Sequence, residues 1–597
     1  MCGICGEIRF DNVGVNRETS KRMIDTISRR GPDNEGLFFH NQLFLGHRRL
    51  SVIDVTEKSH QPMTDHSLNL TIVFNGVIYN YKELRNTLRK EGYSFFSDGD
   101  TEVILKSYHF YGEECVNHFD GVFAFCIYDA NKETLFLSRD RLGIKPLYYM
   151  LNDNFFRFSS NTKSLINAQK NQIEIDKTSL HYQFTLHSVV PAPRTIIKDI
   201  KKLEPGHNLK IMLDGKSENK KYYSFDHINL HPSITEEDIL EEIERLMVLS
   251  IKKRLTTSDV PVGILLSGGL DSSLITAIAS KHCISNINTF SIGFPSIENE
   301  EGDEFYFSDK IAQQFNTSHQ KFFLSDDELL DNLDEVISCM PEPMASQDSS
   351  AFFLLGREVS KTQKVVLSGQ GADELFGGYF WYEKMEKLES SNLRKFSVNY
   401  FDRDHTDFSK TVTEKFSSDN YSRDLIKDLF DKQNTNLSFL DKVLRIDLST
   451  LIIDDPVKRV DSMTMSWGLE TRVPFLDINL VEFMLQIPSE LKIMNGGKHH
   501  LKKIAKKFFT DDFINRDKFY FPVPPLKIIK NKFLDYTKEI LLSEACKERG
   551  ILDSKNIEIL LKSPNKHLTK LNGNKLWHLA LFERWFQINV DERNAII

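Results

Sequence analysis

The sequence predicts a multidomain α/β protein, and three observations predict it. Residues 1–210 read as short strands, such as Leu70–Phe74 and Gly121–Tyr128, separated by turn-forming Asn, Asp and Gly. From about residue 234 the pattern changes to strand–turn–helix units in series, which a parallel sheet with helices on both faces requires. The chain has 597 residues, 40% hydrophobic and 27% charged, ordinary globular usage at a length for two or three domains.

Taken in order, Pro191, Pro193 and Glu204-Pro-Gly206 punctuate the end of the strand-rich half, and polar residues place a linker at 211–233. Thr235 and Asp238 form a capping-box pattern, and Ile239, Ile243, Leu246 and Met247 follow at helical spacing. Val262–Leu266 is a short apolar strand, followed by Ser-Gly-Gly and a helix from about Leu274. Thr289–Ile292 and Val365–Leu367 are further buried-type strands ending in Gly-rich turns. Residues 384–450 are charged, helix-compatible and read as peripheral helices without a site.

Charge excludes some functions. Lys+Arg number 76 and Asp+Glu 85, a net charge of −9 that argues against a nucleic-acid partner. No run of 18 apolar residues predicts a membrane span, and MCGICGEIRFD lacks the order of a secretion signal. Seven cysteines are sparse and odd in number, as for reduced thiols in a cytoplasm. The oligomeric state is open, and a homodimer is compatible with the sequence.

The first constellation gathers around Cys2. Removal of Met1 would leave Cys2 with both a thiol nucleophile and an α-amine, whose pKa of about 8 suits a base. Cys2 and Cys5 also read as a lone CxxC for redox or zinc, a weak signal without a second pair. Gly46-His-Arg-Arg-Leu50 sets two guanidiniums beside an expected strand at Ser51–Val55, a fork suited to a free carboxylate, although paired Arg is more often a solvated face. Asn75-Gly76 can offer a side-chain amide and a backbone N–H to an oxyanion, or be simply a turn. Ser97-Asp-Gly-Asp-Thr-Glu102 supplies carboxylates for an α-ammonium. Together these describe a site for a free amino acid with a side-chain amide.

MCGICG, RRGPD, LGHRRLSVID, FNGVIYNY, DGDTEVIL, GVFAFCIYD and SRDRLGIKPLYY resemble the glutaminase domain of the class II glutamine amidotransferases, which are N-terminal-nucleophile hydrolases with an αββα sandwich. The resemblance covers residues 1–210. It implies Cys2 as nucleophile, Arg49 on the glutamine carboxylate, Asn75 and Gly76 as oxyanion hole, and Asp100 on the amino group. The family often reads N-G-E, and Val77 stands here where that Glu would be.

The second constellation is Ser267-Gly-Gly-Leu-Asp-Ser-Ser273, between a strand and a helix. Its glycines let backbone N–H groups converge on an anion, and Ser267, Ser272 and Ser273 add hydroxyls. No GxxxxGK[ST] is present, which argues against γ-phosphate transfer by a P-loop mechanism. Such a turn can be a mere cap, but Asp271 inside an anion loop calls for a cation such as Mg²⁺. Ser368-Gly-Gln-Gly-Ala-Asp-Glu374 is a second such turn and carries Asp373.

From about Asp259, DVPVGILLSGGLDSS, FSIGF, VVLSGQGADELFGGY, VKRVDSMTMSWGLETRVPFLD and GGKHHLKKIA resemble the ATP-pyrophosphatase domain of the asparagine synthetase superfamily, here residues 234–597. That family splits ATP between the α- and β-phosphates, adenylates a carboxylate and lets ammonia displace AMP. The resemblance implies Ser267, Gly268, Gly269, Asp271, Ser272 and Ser273 on the pyrophosphate, Asp271 and Asp373 on Mg²⁺, and the backbone near Ile292, Ser368 and Gly369 on ATP. It also implies a charge-neutralising catalytic role for Lys498, which by itself reads as a solvated lysine.

The halves explain each other, since one makes ammonia and the other consumes it. Asparagine synthetases usually show S-G-E-G-[SA]-D-E at the second loop, and Gln370 replaces the Glu here. A neutral amide cannot act as a general base or pair with an ammonium as a carboxylate does, which favours an acceptor without a free α-amine. CGEIRFD, EEGDEFYFSD, EPMASQDSSAF, SGQGADE, FYFPVPPLK and HLTKLNGNKLWHLALFERWFQ resemble the N-acetylglutaminylglutamine amidotransferases over almost the whole chain. These amidate the C-terminal carboxylate of an N-acetylated Gln-Gln dipeptide, giving a neutral compatible solute. The expected substrates are therefore glutamine, ATP with Mg²⁺, and N-acetylglutaminylglutamine. The alternatives are asparagine synthetase acting on aspartate and a catalytically idle interaction protein on the same scaffold.

Overall fold

Alternation along the first strand, β1 (Gly3–Arg9), sets the plan of the N-terminal half. Ile4 and Ile8 face one core, while Cys5 packs in another on the opposite side. The computed structural model describes residues 1–169, 173–284, 286–516 and 523–591. Residues 519–522 of the FYFPVPPLK motif lie outside the described residues. The further strands are β2 (Asn34–His40), β3 (Leu43–Arg49), β4 (Met63–Asp65), β5 (Leu70–Ile78), β6 (Gly121–Asp129), β7 (Thr134–Arg139), β8 (Tyr148–Leu151), β9 (Phe155–Ser159), β10 (Lys201–Lys202), β11 (His207–Met212), β12 (Ser217–Lys221), β13 (Val262–Leu265), β14 (Asn288–Gly293), β15 (Ser318–Phe323), β16 (Val365–Leu367) and β17 (Glu470–Arg472).

Two antiparallel sheets, ordered β10-β8-β9-β1-β3-β2 and β12-β11-β7-β6-β5-β4, stack face to face. Ile4, Leu45, Val73, Ala124, Leu137, Phe156 and Phe158 fill the space between them. On β6 the alternate residues Phe123, Phe125 and Ile127 point outward, onto the core shared with helices Tyr81–Lys90 and Asp100–Tyr111. Helix Arg17–Thr26 covers the other sheet through Met23 and Ile24. The result is the predicted αββα sandwich.

The second half is built on a parallel sheet, β15-β14-β13-β16-β17, as strand–turn–helix units demand. Helix Glu236–Thr256 leads into it. Thr235 caps this helix by accepting the Asp238 N–H at 3.2 Å, and Ile239, Ile243, Leu246 and Met247 form its buried face.

Several local expectations are revised. The sheet continues past residue 210, because β11 pairs with β12, so the expected linker at 211–233 begins only after Lys221. All of β12 is exposed, which removes the apolar alternation that would mark a strand. Ser51–Val55 is not a strand: the Ser51 N–H donates to Asp33 at 2.7 Å and the Asp54 N–H to Asp259 at 2.7 Å, which folds the segment into a loop. Asn75-Gly76 lies inside β5, and the helix after Ser-Gly-Gly starts at Leu270, not Leu274. The helices in 384–450 are not merely peripheral, since Phe396, Phe430 and Leu444 share a core with Leu186 and Val189 of the first half.

Buried ion pairs lock the halves together. Asp461 takes Arg30 at 2.9 Å and Lys145 at 3.1 Å, and Lys202 reaches Glu342 at 2.7 Å. Among the described residues no helix is long and apolar enough to cross a membrane.

Candidate active site

Cys2 enters its pocket from the start of β1. The register that sets Gly3 opposite Arg48 brings Cys2 beside Arg49. Cys2, Arg49, Leu50, Gly76, Asp100 and Thr101 line one pocket, together with Glu470 and Arg472 from the second half. The Cys2 N–H donates to Asn75 Oδ1 at 3.0 Å, and the buried Asn75 Nδ2 has no partner. Burial raises the Cys2 thiol pKa, against the pull of the N-terminal ammonium and Arg49. A Cβ on Gly76 would lie 2.2 Å from the Val122 carbonyl oxygen, so the strand admits only glycine there.

Asp100 opens helix Asp100–Tyr111 and accepts the Ile78 N–H at 3.0 Å. Burial pushes its carboxyl up to about 6. Arg49 spends much of its guanidinium on the loop, donating to the Thr56 carbonyl at 2.8 Å and to those of Ile53 and Asp54. Glu102, from the same acidic run, accepts the Phe96 and Ser97 N–H groups and shapes the turn instead of facing the pocket. Glu470 pairs with the N-terminal ammonium of Met1 and, at 2.6 Å, with Arg472. Burial opposes its charge, but Arg472 and the ammonium hold it down at about 2.

A second pocket lies beyond the carboxyl ends of β13, β14 and β16, where ligands of open α/β sheets sit. Ser267, Gly269, Asp271, Ser272, Ile292, Ser368, Gly369 and Asp373 line it. The Gly269 N–H donates to Ser267 Oγ at 3.2 Å, and Ser267 and Ser272 hydroxyls lie 3.1 Å apart. Gly268 and Ser273 do not line the pocket. Gly268 makes the turn at φ +86°, where a Cβ would meet the Ser308 nitrogen at 2.7 Å, and Ser273 is fully buried in the helix.

Lys498 is not a solvated lysine. Its ammonium lies 2.6 Å from Asp271 and 2.9 Å from Asp373, bridging the two loops. Burial works against its charge, but the two carboxylates outweigh that cost and raise its pKa. Gly378 makes room, since a Cβ there would lie 2.3 Å from both Asp373 Oδ1 and Lys498 Cε. Two carboxylates converging on one cation from separate loops are a hard-oxygen donor set that fits Mg²⁺.

Sequence reasoning missed Glu470 and Arg472, although GLETRVPFLD contains them. It also missed Phe290, Glu304 and Phe352 of the second pocket. Burial pushes Glu304 up to about 7 despite Arg516 at 3.0 Å.

Residues 242–587 match the family described as asparagine synthase, and residues 1–223 match the glutamine amidotransferase domain. The chain is similar to asparagine synthetase [glutamine-hydrolyzing] 1 of Bacillus subtilis (strain 168), with 34% identity covering 99% of this chain and 98% of that protein. It is similar also to asparagine synthetase [glutamine-hydrolyzing] 3 of the same organism, with 32% identity covering 99% of this chain and 100% of that protein. The two pockets, in the two matched domains, are those of one polypeptide, which belongs to the asparagine synthetase family of glutamine-hydrolysing, ATP-dependent ligases.

Proposed function

We propose that this chain moves the amide nitrogen of glutamine onto the C-terminal carboxylate of N-acetylglutaminylglutamine in the cytoplasm, forming the dipeptide amide, a neutral compatible solute. The observation that carries a coupled reaction is β17. Its Glu470 and Arg472 side chains line the Cys2 pocket, while the Arg472 carbonyl accepts the Ser368 N–H of the second loop at 2.9 Å.

In the first pocket, Cys2 Sγ attacks the glutamine amide carbon once Met1 is removed. The α-amine takes the thiol proton and passes it to the leaving ammonia, and water then frees glutamate from the thioester. Asn75 Nδ2 and the Gly76 N–H receive the oxyanion, Asp100 the substrate ammonium and Arg49 its carboxylate. In the second pocket, Ser267, Gly269 and Ser272 hold the phosphates of ATP beside Ile292, Ser368 and Gly369. Gly268 and Ser273 serve by shaping that loop. Asp271 and Asp373 would hold Mg²⁺, which would offset the phosphate charge, and the Lys498 ammonium would face the departing pyrophosphate. The acceptor carboxylate is adenylated, and ammonia displaces AMP.

The acceptor rests on Gln370, which lines the second pocket where a carboxylate would serve an acceptor with a free α-amine, and on the long sequence resemblance. Aspartate is the second reading, favoured by the names of the relatives. An idle scaffold is disfavoured because Cys2, Asp271 and Asp373 all stand in formed pockets. Product analysis with both acceptors, glutamine, ATP and Mg²⁺ tests the proposal. Amidated dipeptide with little asparagine is expected. Efficient use of aspartate and none of the dipeptide would refute it.

A further inference from the structure

A third cavity, of about 420 Å³, adjoins the second pocket and is within the usual ~300–1,000 Å³ of small-molecule sites. It begins at Glu374, the residue after Asp373, whose carboxylate accepts from the Tyr379 hydroxyl at 2.8 Å. Helix Asp348–Val359 connects the two spaces: Asp348 lines this cavity, and Phe352 and Leu355 line the ATP pocket. The far wall carries His187, Asn572 and His578, from segments remote in sequence.

Three of the wall's carboxylates are paired. Arg459 pairs with Asp348 at 2.8 Å and with Asp455, and Lys527 pairs with Glu300. Among the described residues, two buried polar groups of the wall are left without a partner. Trp381 Nε1–H is buried without a partner, and Tyr379 stacks on Trp381 with ring centroids 4.1 Å apart and planes 16° apart. Asp447 Oδ1 is also buried without a partner, its Oδ2 accepts from the Tyr382 hydroxyl, and burial raises the Asp447 carboxyl well above the ordinary range. Asp447, Leu451, Asp455 and Pro456 lie on two π-helical segments, Asp447–Leu451 and Ile453–Val457, a geometry frequent at functional sites.

A buried N–H donor and an unpartnered carboxyl oxygen beside an aromatic face suit amide groups, which accept, donate and stack. A four-carbon acceptor such as aspartate would fill little of this space. We propose that the cavity is a subsite for the distal, amide-bearing part of an extended acceptor, with Trp381 Nε1–H donating to an amide carbonyl, Asp447 Oδ1 pairing with an amide N–H and Tyr379–Trp381 stacking on its amide planes. This rests on the acceptor assignment above.

The test is steady-state kinetics of Trp381→Phe, which keeps a ring and deletes the N–H, and of Asn572→Gly, which keeps the left-handed backbone (φ +63°) and deletes the amide. With N-acetylglutaminylglutamine as the probe, each variant is expected to raise the acceptor KM about tenfold, the scale of one lost hydrogen bond, with KM for glutamine and ATP unchanged. Wild-type turnover of the dipeptide with unchanged KM in both variants overturns the subsite alone. Wild-type use of aspartate but not the dipeptide overturns the subsite and the acceptor assignment together.

Discussion

The Ser368 N–H donates to the Arg472 carbonyl at 2.9 Å, so one parallel strand pair separates the Ser267–Asp373 pocket from the Cys2 pocket. Arg472 is fixed from the other side as well. Its guanidinium reaches Glu470 at 2.6 Å and the carbonyls of Arg254 at 2.6 Å and Thr257 at 2.9 Å. Any shift of β17 is therefore felt in both pockets.

Glu470→Gln breaks this arrangement from within. Removing one partner of a buried ion pair costs about 3–5 kcal/mol. In the chain that retains Met1, the folded-state pKa of about 2 lies below the ordinary 4.5, so the contribution of Glu470 is complete above about pH 4.5 and fades as pH falls toward 2. Denaturant melts at pH 7 and pH 3 should show a large deficit for the variant at the first and a smaller one at the second.

Cys2→Ala should abolish glutamine-supported synthesis and keep ammonia-supported synthesis. Retention of Met1 should do the same, because its ammonium occupies Glu470 and the Cys2 amine is then an amide. Assays with glutamine and with ammonium salts separate the two activities. Glutaminase turnover by Cys2→Ala would sink the nucleophile assignment.

Asp271→Asn and Asp373→Asn should each lower kcat/KM for pyrophosphate release by about 10²-fold or more, roughly 2.7 kcal/mol. Gly378→Ala should act in the same direction, because its Cβ would displace the Asp373–Lys498 contact. All three should leave glutaminase turnover in place, and equal loss of both activities would contradict the separation of the sites.

Asp100 gives a pH signature. Its carboxyl titrates near 6 in the fold against an ordinary 3.8, so the folded state holds the proton more tightly and stability falls as pH rises between those values. Asp100→Asn should remove that slope, a gain of at most about 3 kcal/mol above pH 6. Glutamine binding should weaken at the same time. In the wild type, KM for glutamine should rise as pH drops through about 6.

What could be read from the sequence was local. Ser267–Ser273 and Ser368–Glu374 follow buried strands, and a Gly-rich turn between strand and helix leaves few alternatives. What was hidden depends on distance along the chain. Lys498 looks solvated until the fold brings it between Asp271 and Asp373, 227 residues from the former. Ser51–Val55 has an apolar pattern but no strand partner, because its N–H groups go to Asp33 and Asp259. β12 is a strand without apolar alternation, held by its backbone pairing to β11. The wall of His187, Trp381 and Asn572 has no motif at all.

The central claim is that nitrogen freed at Cys2 ends in the acceptor amide at the expense of an α–β phosphate bond. It is tested most directly by supplying glutamine labelled with ¹⁵N in its side-chain amide, together with ATP, Mg²⁺ and N-acetylglutaminylglutamine, and following nitrogen and phosphate together. The account predicts ¹⁵N in the dipeptide's C-terminal amide, with AMP and pyrophosphate formed in equal amounts to it. ADP as the nucleotide product, or unlabelled dipeptide beside released ¹⁵N-ammonium, would contradict it.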